Sequence, residues 1–165
     1  MSTYKTFTVI PTVQATPDYA DGDVLFSPTE ISDFSPNKNS SARIVSLFVI
    51  DKVAANTSDF TLYFTHSATS FGTVNATADV EIGTIEEVQA TIPIVNGDWI
   101  SGNLDKANTC MLTDPSTDGI GSIVSGYNWA RTSFSKSIHI VGIADETINC
   151  GSTSDLIIKI GIKYI

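Results

Sequence analysis

DLIIKIGIKYI, residues 155–165, decides the fold class. In an extended chain Leu156, Ile158, Ile160, Ile162 and Tyr164 fall on one side, with Lys159, Gly161 and Lys163 on the other. That strict period of two is the mark of a strand with one face on a core. The same signal recurs upstream. Ile138–Ile143 is a shorter example, and Asp59–His66 alternates Phe60, Leu62 and Phe64 against Thr61, Tyr63 and Thr65, which predicts a half-buried strand. RIVSLFVID, Arg43–Asp51, is apolar on both sides apart from Ser46, so a central strand buried on both faces is expected. Near the start, Lys5, Phe7 and Val9 oppose Tyr4, Thr6 and Thr8 before Pro11 interrupts. Val24–Phe26 is broken by Pro28, and Cys110–Leu112 makes a short strand.

Turn chemistry separates these runs. SDFSPNKNSS, residues 32–41, has turn formers at most positions and little to bury. Asn56-Thr57-Ser58 predicts a tight connection between the Arg43 and Asp59 strands. Asn96-Gly97 predicts a hairpin joining Gln89–Val95 to Trp99–Leu104. In Thr73–Val88, Ala76, Val80, Ile85 and Val88 line up as one short helix with Glu86 and Glu87 outward. About eight short strands without βαβ spacing predict an all-β protein, an antiparallel β-sandwich of jelly-roll type. Residues 1–22 read as an extended N-terminal segment and 23–165 as a single sandwich domain.

Composition narrows the partners. The chain has 165 residues, 9 Lys+Arg against 18 Asp+Glu, and a net charge of −9. Its basic residues are scattered, which argues against a nucleic-acid partner, since phosphate binding needs clustered Lys and Arg. Charged residues are only 16%, against a usual figure of about 25%, and their place is taken by 19 Ser and 20 Thr. No apolar run approaches the roughly 18 residues that span a bilayer, so no membrane partner is expected. Met1–Thr12 lacks the charged and apolar regions of a secretory signal, which predicts a protein made in a cytoplasm. Cys110 and Cys150 are too few for a disulfide scaffold and are expected to be buried free thiols.

Chemistry is sparse. No Gly-x-Ser-x-Gly elbow occurs, and Gly121–Gly126 lacks its spacing. His66 is expected at a sheet rim, and His139 at the surface or an interface. Asp21-Gly22-Asp23 and Asp114 with Asp118 lack the alternating spacing of a calcium loop, so no metal is expected. Gly119-Ile120-Gly121 opens no helix and forms no phosphate cradle, and no cofactor is expected. Asp145-Glu146 are neighbours in sequence and read as a solvated turn, not a paired-carboxylate site. The chain reads as non-enzymatic. Aromatics give the better contact candidates: Tyr127, Trp129 and Arg131 in the loop Gly126–Arg131, and Tyr4, Phe7 and Val9 in the N-terminal run.

Five blocks carry a family resemblance: Asp23–Ile31 (DVLFSPTEI), Arg43–Asp51, Leu62-Tyr63-Phe64, Phe71–Ala76 and Ile160–Ile165. In this order, over about half the chain, they resemble the small head-decoration or cement proteins of tailed bacteriophages. The resemblance implies a virion component on the capsid exterior, assembled in a host cytoplasm and without enzymatic activity. Its implied partner is the major capsid protein, with neighbouring subunits clamped by a homotrimer. Within DVLFSPTEI it implies a structural tie, Pro28 suiting a sheet edge and Thr29-Glu30 bonding neighbouring backbone. Met1–Phe26 is the segment expected to reach a neighbour. Two further readings stand beside this one: a tail or fibre adhesion module, and a carbohydrate-binding module using Trp99, Tyr127 and Trp129.

Overall fold

A computed structural model describes residues 4–35, 37, 41–53, 58–100, 107–113, 129–131 and 136–164. Among them are ten strands: β1 (Tyr4–Val9), β2 (Val24–Ile31), β3 (Ser41–Asp51), β4 (Phe60–Thr65), β5 (Val88–Ile94), β6 (Trp99–Ile100), β7 (Asn108–Thr113), β8 (Trp129–Arg131), β9 (Ile138–Ala144) and β10 (Leu156–Tyr164). One helix, α1 (Ile82–Glu86), precedes β5. The first sheet runs β1-β10-β3-β7-β6, with β8 also on β3; the second runs β2-β9-β4-β5. Every pairing of named strands is antiparallel.

The chain changes sheet between β1 and β2, β2 and β3, β3 and β4, β5 and β6, β8 and β9, and β9 and β10. This crossing pattern, with the first and last strands adjacent in one sheet, is the two-Greek-key jelly roll. The expected all-β sandwich is therefore the observed fold.

Alternation builds the core between the sheets. Leu156, Ile158, Ile160 and Ile162 of β10 are buried beside Ile44, Leu47 and Val49 of β3. Phe60, Leu62 and Phe64 of β4 close the core from the other side, with Phe26 and Ile140. Phe26 packs so tightly that a Cβ on Gly142 would stand 2.6 Å from its ring. Tyr19 is fully buried; its hydroxyl donates to the Leu25 carbonyl at 2.8 Å and accepts the Gln14 amide, latching the crossing between β1 and β2.

Several expectations are corrected. Asn96-Gly97 does not make a hairpin: β5 lies in the second sheet and β6 in the first. Residues Asn96–Asp98 take a 3₁₀ turn, and Gly97 is not in the left-handed region that a two-residue hairpin turn demands. Burial of the Trp99 indole, which donates to the Ser58 carbonyl at 3.0 Å, draws the chain across the sandwich instead. Asn56 and Thr57 of the expected tight connection lie outside the described residues, and the strands it was to join, β3 and β4, sit in different sheets. The helix spans five residues only, and Ile85 lies outward at 59% exposure while Thr84 is its buried residue. Pro28 does sit on an edge strand, where β2 breaks register on either side of Phe26.

Burial on β3 and β4 reverses the expectation. Phe48 and Ile50 of β3 are only half-buried, whereas β4 is buried on both faces apart from Tyr63. The cause is the 22-residue connection 66–87. It folds over the outer side of the second sheet, and Phe71 packs there on Val24, Val141 and Tyr63, the Phe71 and Tyr63 ring centroids 5.3 Å apart. Backbone bonds pin it to the start of β2: Val24 donates to Ala76 at 3.0 Å, and Asn75 to Val24 at 2.9 Å. Gly72, at φ +124°, makes the turn that brings the Asp79 amide onto the Phe71 carbonyl.

Candidate functional site

The cluster nearest to chemistry lies where β4 ends. His66 Nε2 stands 2.8 Å from Glu87 Oε2, and the Ser67 hydroxyl donates to the same carboxylate oxygen at 2.7 Å. Gln89 Nε2 reaches His66 Nδ1 at 3.4 Å. Acyl transfer needs the imidazole on the hydroxyl and the carboxylate behind the imidazole. Here the carboxylate sits between them, so the Ser67 proton is directed to Glu87 and not to the imidazole. The cluster works as a clasp holding the end of β4 to the start of β5, which puts His66 at the rim as expected.

His139 lies in β9, half-buried, in register with Glu30 on one side and Thr65 on the other. Burial holds its imidazole below the ordinary range, against the opposing pull of Glu30, and its buried Nδ1 has no hydrogen-bond partner. Asp59 is shifted upward, first by burial and then by Glu146, with the Asn96 amide and Asp98 acting as smaller influences. Asp145 and Glu146 tie down chain rather than facing a substrate. Thr61 Oγ1 donates to Asp145 Oδ2 at 2.6 Å, and the Asp59 amide to Glu146 Oε1 at 2.8 Å. Asp21-Gly22-Asp23 is a turn in which Asp23 accepts the Ala20 amide at 2.8 Å. Among the described residues no group of three or more His, Cys, Asp or Glu could hold a metal ion. Asp114, Asp118 and Gly119–Gly126 lie outside the described residues.

Cys110 and Cys150 are both buried and free. Burial pushes each thiol up to about 12, with Asp98 adding to the effect at Cys110, and Asp51 and Asp155 at Cys150. Such thiols are poor nucleophiles and poor metal ligands near neutrality. The void beside Cys150, between Leu25, Phe60, Asp51 and Asp155, is about 10 Å³ and offers at most the space of one water. A wider groove of about 430 Å³ runs between Thr12–Ala15 and the Ser27–Thr29 break in β2. It is lined by uncharged groups, with no aromatic ring or ion to fix a ligand.

The expected contact residues separate in the structure. Tyr4 is 65% exposed at the free edge of the first sheet. Phe7 packs on the core and stacks on Phe34 at 5.7 Å, and Val9 is buried. From Tyr4 to Phe26, the described part of the segment expected to reach a neighbour, the chain is held on its own sandwich: β1 pairs with β10, and both Val9 and Val13 belong to the core. Trp129–Arg131 is a strand, not a loop, with Arg43 beside Trp129 and Ser41 beside Arg131 in register on β3. Tyr127 lies outside the described residues. Trp99 is buried and makes no exposed platform.

Two exposed features were missed by the sequence reading. Ile82 and Ile85 stand 78% and 59% exposed on α1, and their spacing of three among Glu81, Glu86 and Glu87 was the available signal. The outer side of the first sheet carries Tyr4, Ile100 and Met111, the last two each 47% exposed. Its signal was that Lys159 and Lys163 are the charged side chains on the outward face of LIIKIGIKY, Leu156–Tyr164.

No protein-family model and no curated protein matches this sequence. Among solved structures, the infectious bursal disease virus VP2 subviral particle aligns at a TM-score of 0.30 and 13% identity, over 98% of this chain and 40% of that one. The T13 particle of the same virus aligns at 0.17 and 13%, over 99% and 39%. This chain thus spans about two fifths of the length of those proteins. Alignments this loose leave the jelly-roll assignment to rest on the strand order itself.

Proposed function

We propose that this is a non-enzymatic virion structural protein that binds the outer surface of a bacteriophage capsid and, as a homotrimer, clamps neighbouring major capsid subunits. It would be assembled in the host cytoplasm. The observation that carries the reading is the edge strand β1. Both edges of the second sheet are blunted, β2 by Pro28 and two register shifts and β5 by Pro93 and one shift. By contrast β1 runs six residues in unbroken register with β10 and contains no proline. An unblunted edge is a template for a strand of another chain. Jelly rolls also serve as the domains of viral capsids, as well as of lectins and cupins, and the sequence blocks quoted above favour the first of these. The carbohydrate-binding reading loses one of its three rings with the burial of Trp99.

Co-sedimentation with empty phage heads tests this. Deleting residues 1–15 would remove Val9 and Val13 from the core and confuse unfolding with lost binding. Thr6→Lys with Thr8→Lys charges an exposed strand instead. Loss of head binding at an unchanged melting temperature is expected; full occupancy of the heads by the double variant would overturn the reading.

A further inference from the structure

Two exposed apolar features among the described residues carry opposite charge. On the first sheet, the side turned away from the core presents Tyr4, Phe48, Ile100 and Met111 with Lys159 and Lys163. The Lys159 ammonium lies 5.9 Å from the Phe48 ring centroid, and that of Lys163 lies 5.8 Å from Tyr4. Asp51 is the one carboxylate among the described residues of these strands, and it is buried. This is a cationic apolar surface on a chain of net charge −9.

The second feature is α1. Ile82 and Ile85 are neighbours one turn apart, with Asp79, Glu81 and Glu86 exposed around them. It is the converse arrangement: an apolar pair ringed by carboxylates.

We propose that copies of this protein associate head to tail, the α1 patch of one seated on the open face of the first sheet of the next. Ile82 and Ile85 meet Phe48 and Met111, while Glu81 and Glu86 approach Lys159 and Lys163. Two open faces packed on each other would oppose lysine to lysine, and two α1 patches would oppose carboxylates. Head-to-tail contact alone pairs opposite charges at both apolar centres. Each copy uses two different surfaces, so the assembly closes as a ring when the rotation between copies divides a full turn. The inference needs only that copies meet; it does not depend on a capsid being their partner.

Light scattering on the purified full chain at low salt should give a multiple of 17.6 kDa. Met111→Asp with Lys159→Glu disables the face, and Ile82→Asp with Ile85→Asp disables the helix; each should reduce the mass to that of one chain. All four residues are exposed, so folding is preserved, and Lys159→Glu with Lys163→Glu is a second route to a disabled face. Mixed together, the two disabled proteins should form a one-to-one pair of twice the monomer mass, because one still offers its helix and the other its face. A single-chain mass for the wild type at every concentration overturns the proposal. So does oligomerisation that survives either disabled surface, or a mixture that stays monomeric. Head binding with a monomeric wild type would sink this inference and the homotrimer, and leave capsid binding itself standing.

Discussion

The outer side of the second sheet and the outer side of the first differ in what lies over them. Over β9 and β4 the connection 66–87 lays Phe71, with Ala78 and Val80 beside it, and turns a sheet surface into a second small core. On the side of β3 and β10 turned away from the core, Phe48 and Ile157 stay half-buried and Lys159 exposed. A strand's burial is thus set by which distant segment crosses it, as much as by its own side chains. The covered sheet spends its outward apolar groups on internal stability; the open one keeps them available to partners.

The sharpest way to break this contrast is to truncate an aromatic on each side. Phe71→Ala should cost about 3–5 kcal/mol, because the ring is fully enclosed and its removal leaves a cavity. Phe48→Ala should cost under about 1 kcal/mol in the separated chain, since the half-exposed site loses little burial. Urea denaturation of both variants measures the difference, and equal losses would mean that the two sides do not differ as described. Next in size is the covering turn itself. Gly72→Ala puts a Cβ 3.2 Å from the Asp79 amide nitrogen at a positive φ, and should cost about 1–3 kcal/mol. A variant as stable as the parent would show that the connection is not held in this conformation.

Thiol chemistry gives a smaller test of the interior between the sheets. Neither Cys110 nor Cys150 should react with a disulfide reagent at pH 8 until urea unfolds the chain, when two equivalents should appear. Rapid reaction of the native protein would contradict their enclosure. The smallest effect is at His139. Its folded pKa lies below the unfolded value, so the unfolded chain takes up the proton first as pH falls through about 6.5. Stability should therefore decline from pH 7 toward pH 5, and His139→Gln should make that decline shallower. Melting curves at the two pH values decide it; parallel slopes would exclude the residue.

How much of this was legible in the sequence depends on whether the signal was local. In β10 the alternation from Leu156 to Tyr164 was legible because each side chain's direction follows from the one before. The burial of Cys110 and Cys150 was equally legible, from residue type alone. What failed was what depends on remote chain. RIVSLFVID looked doubly buried and Asp59–His66 half-buried, but the cover comes from Phe71, which no pattern within β4 announces. Asn96-Gly97 had hairpin chemistry, yet the nearby Trp99 ring and its bond to Ser58 prevailed. At the candidate contacts, Tyr4 was found at an edge, but Phe7 and Val9 were spent on the core. The charge division between α1 and the first sheet needed the fold before it could be seen.

The position of β3 has a kinetic consequence. Its ladder partners β7, β8 and β10 all follow it in the chain, and Tyr4 pairs with Lys163. On a ribosome, β3 must wait unpaired until β7 emerges, about two thirds of the way along the 165 residues, and β1 must wait for β10. Such non-local pairing makes for slow folding, and the waiting strands for a need of chaperones during synthesis.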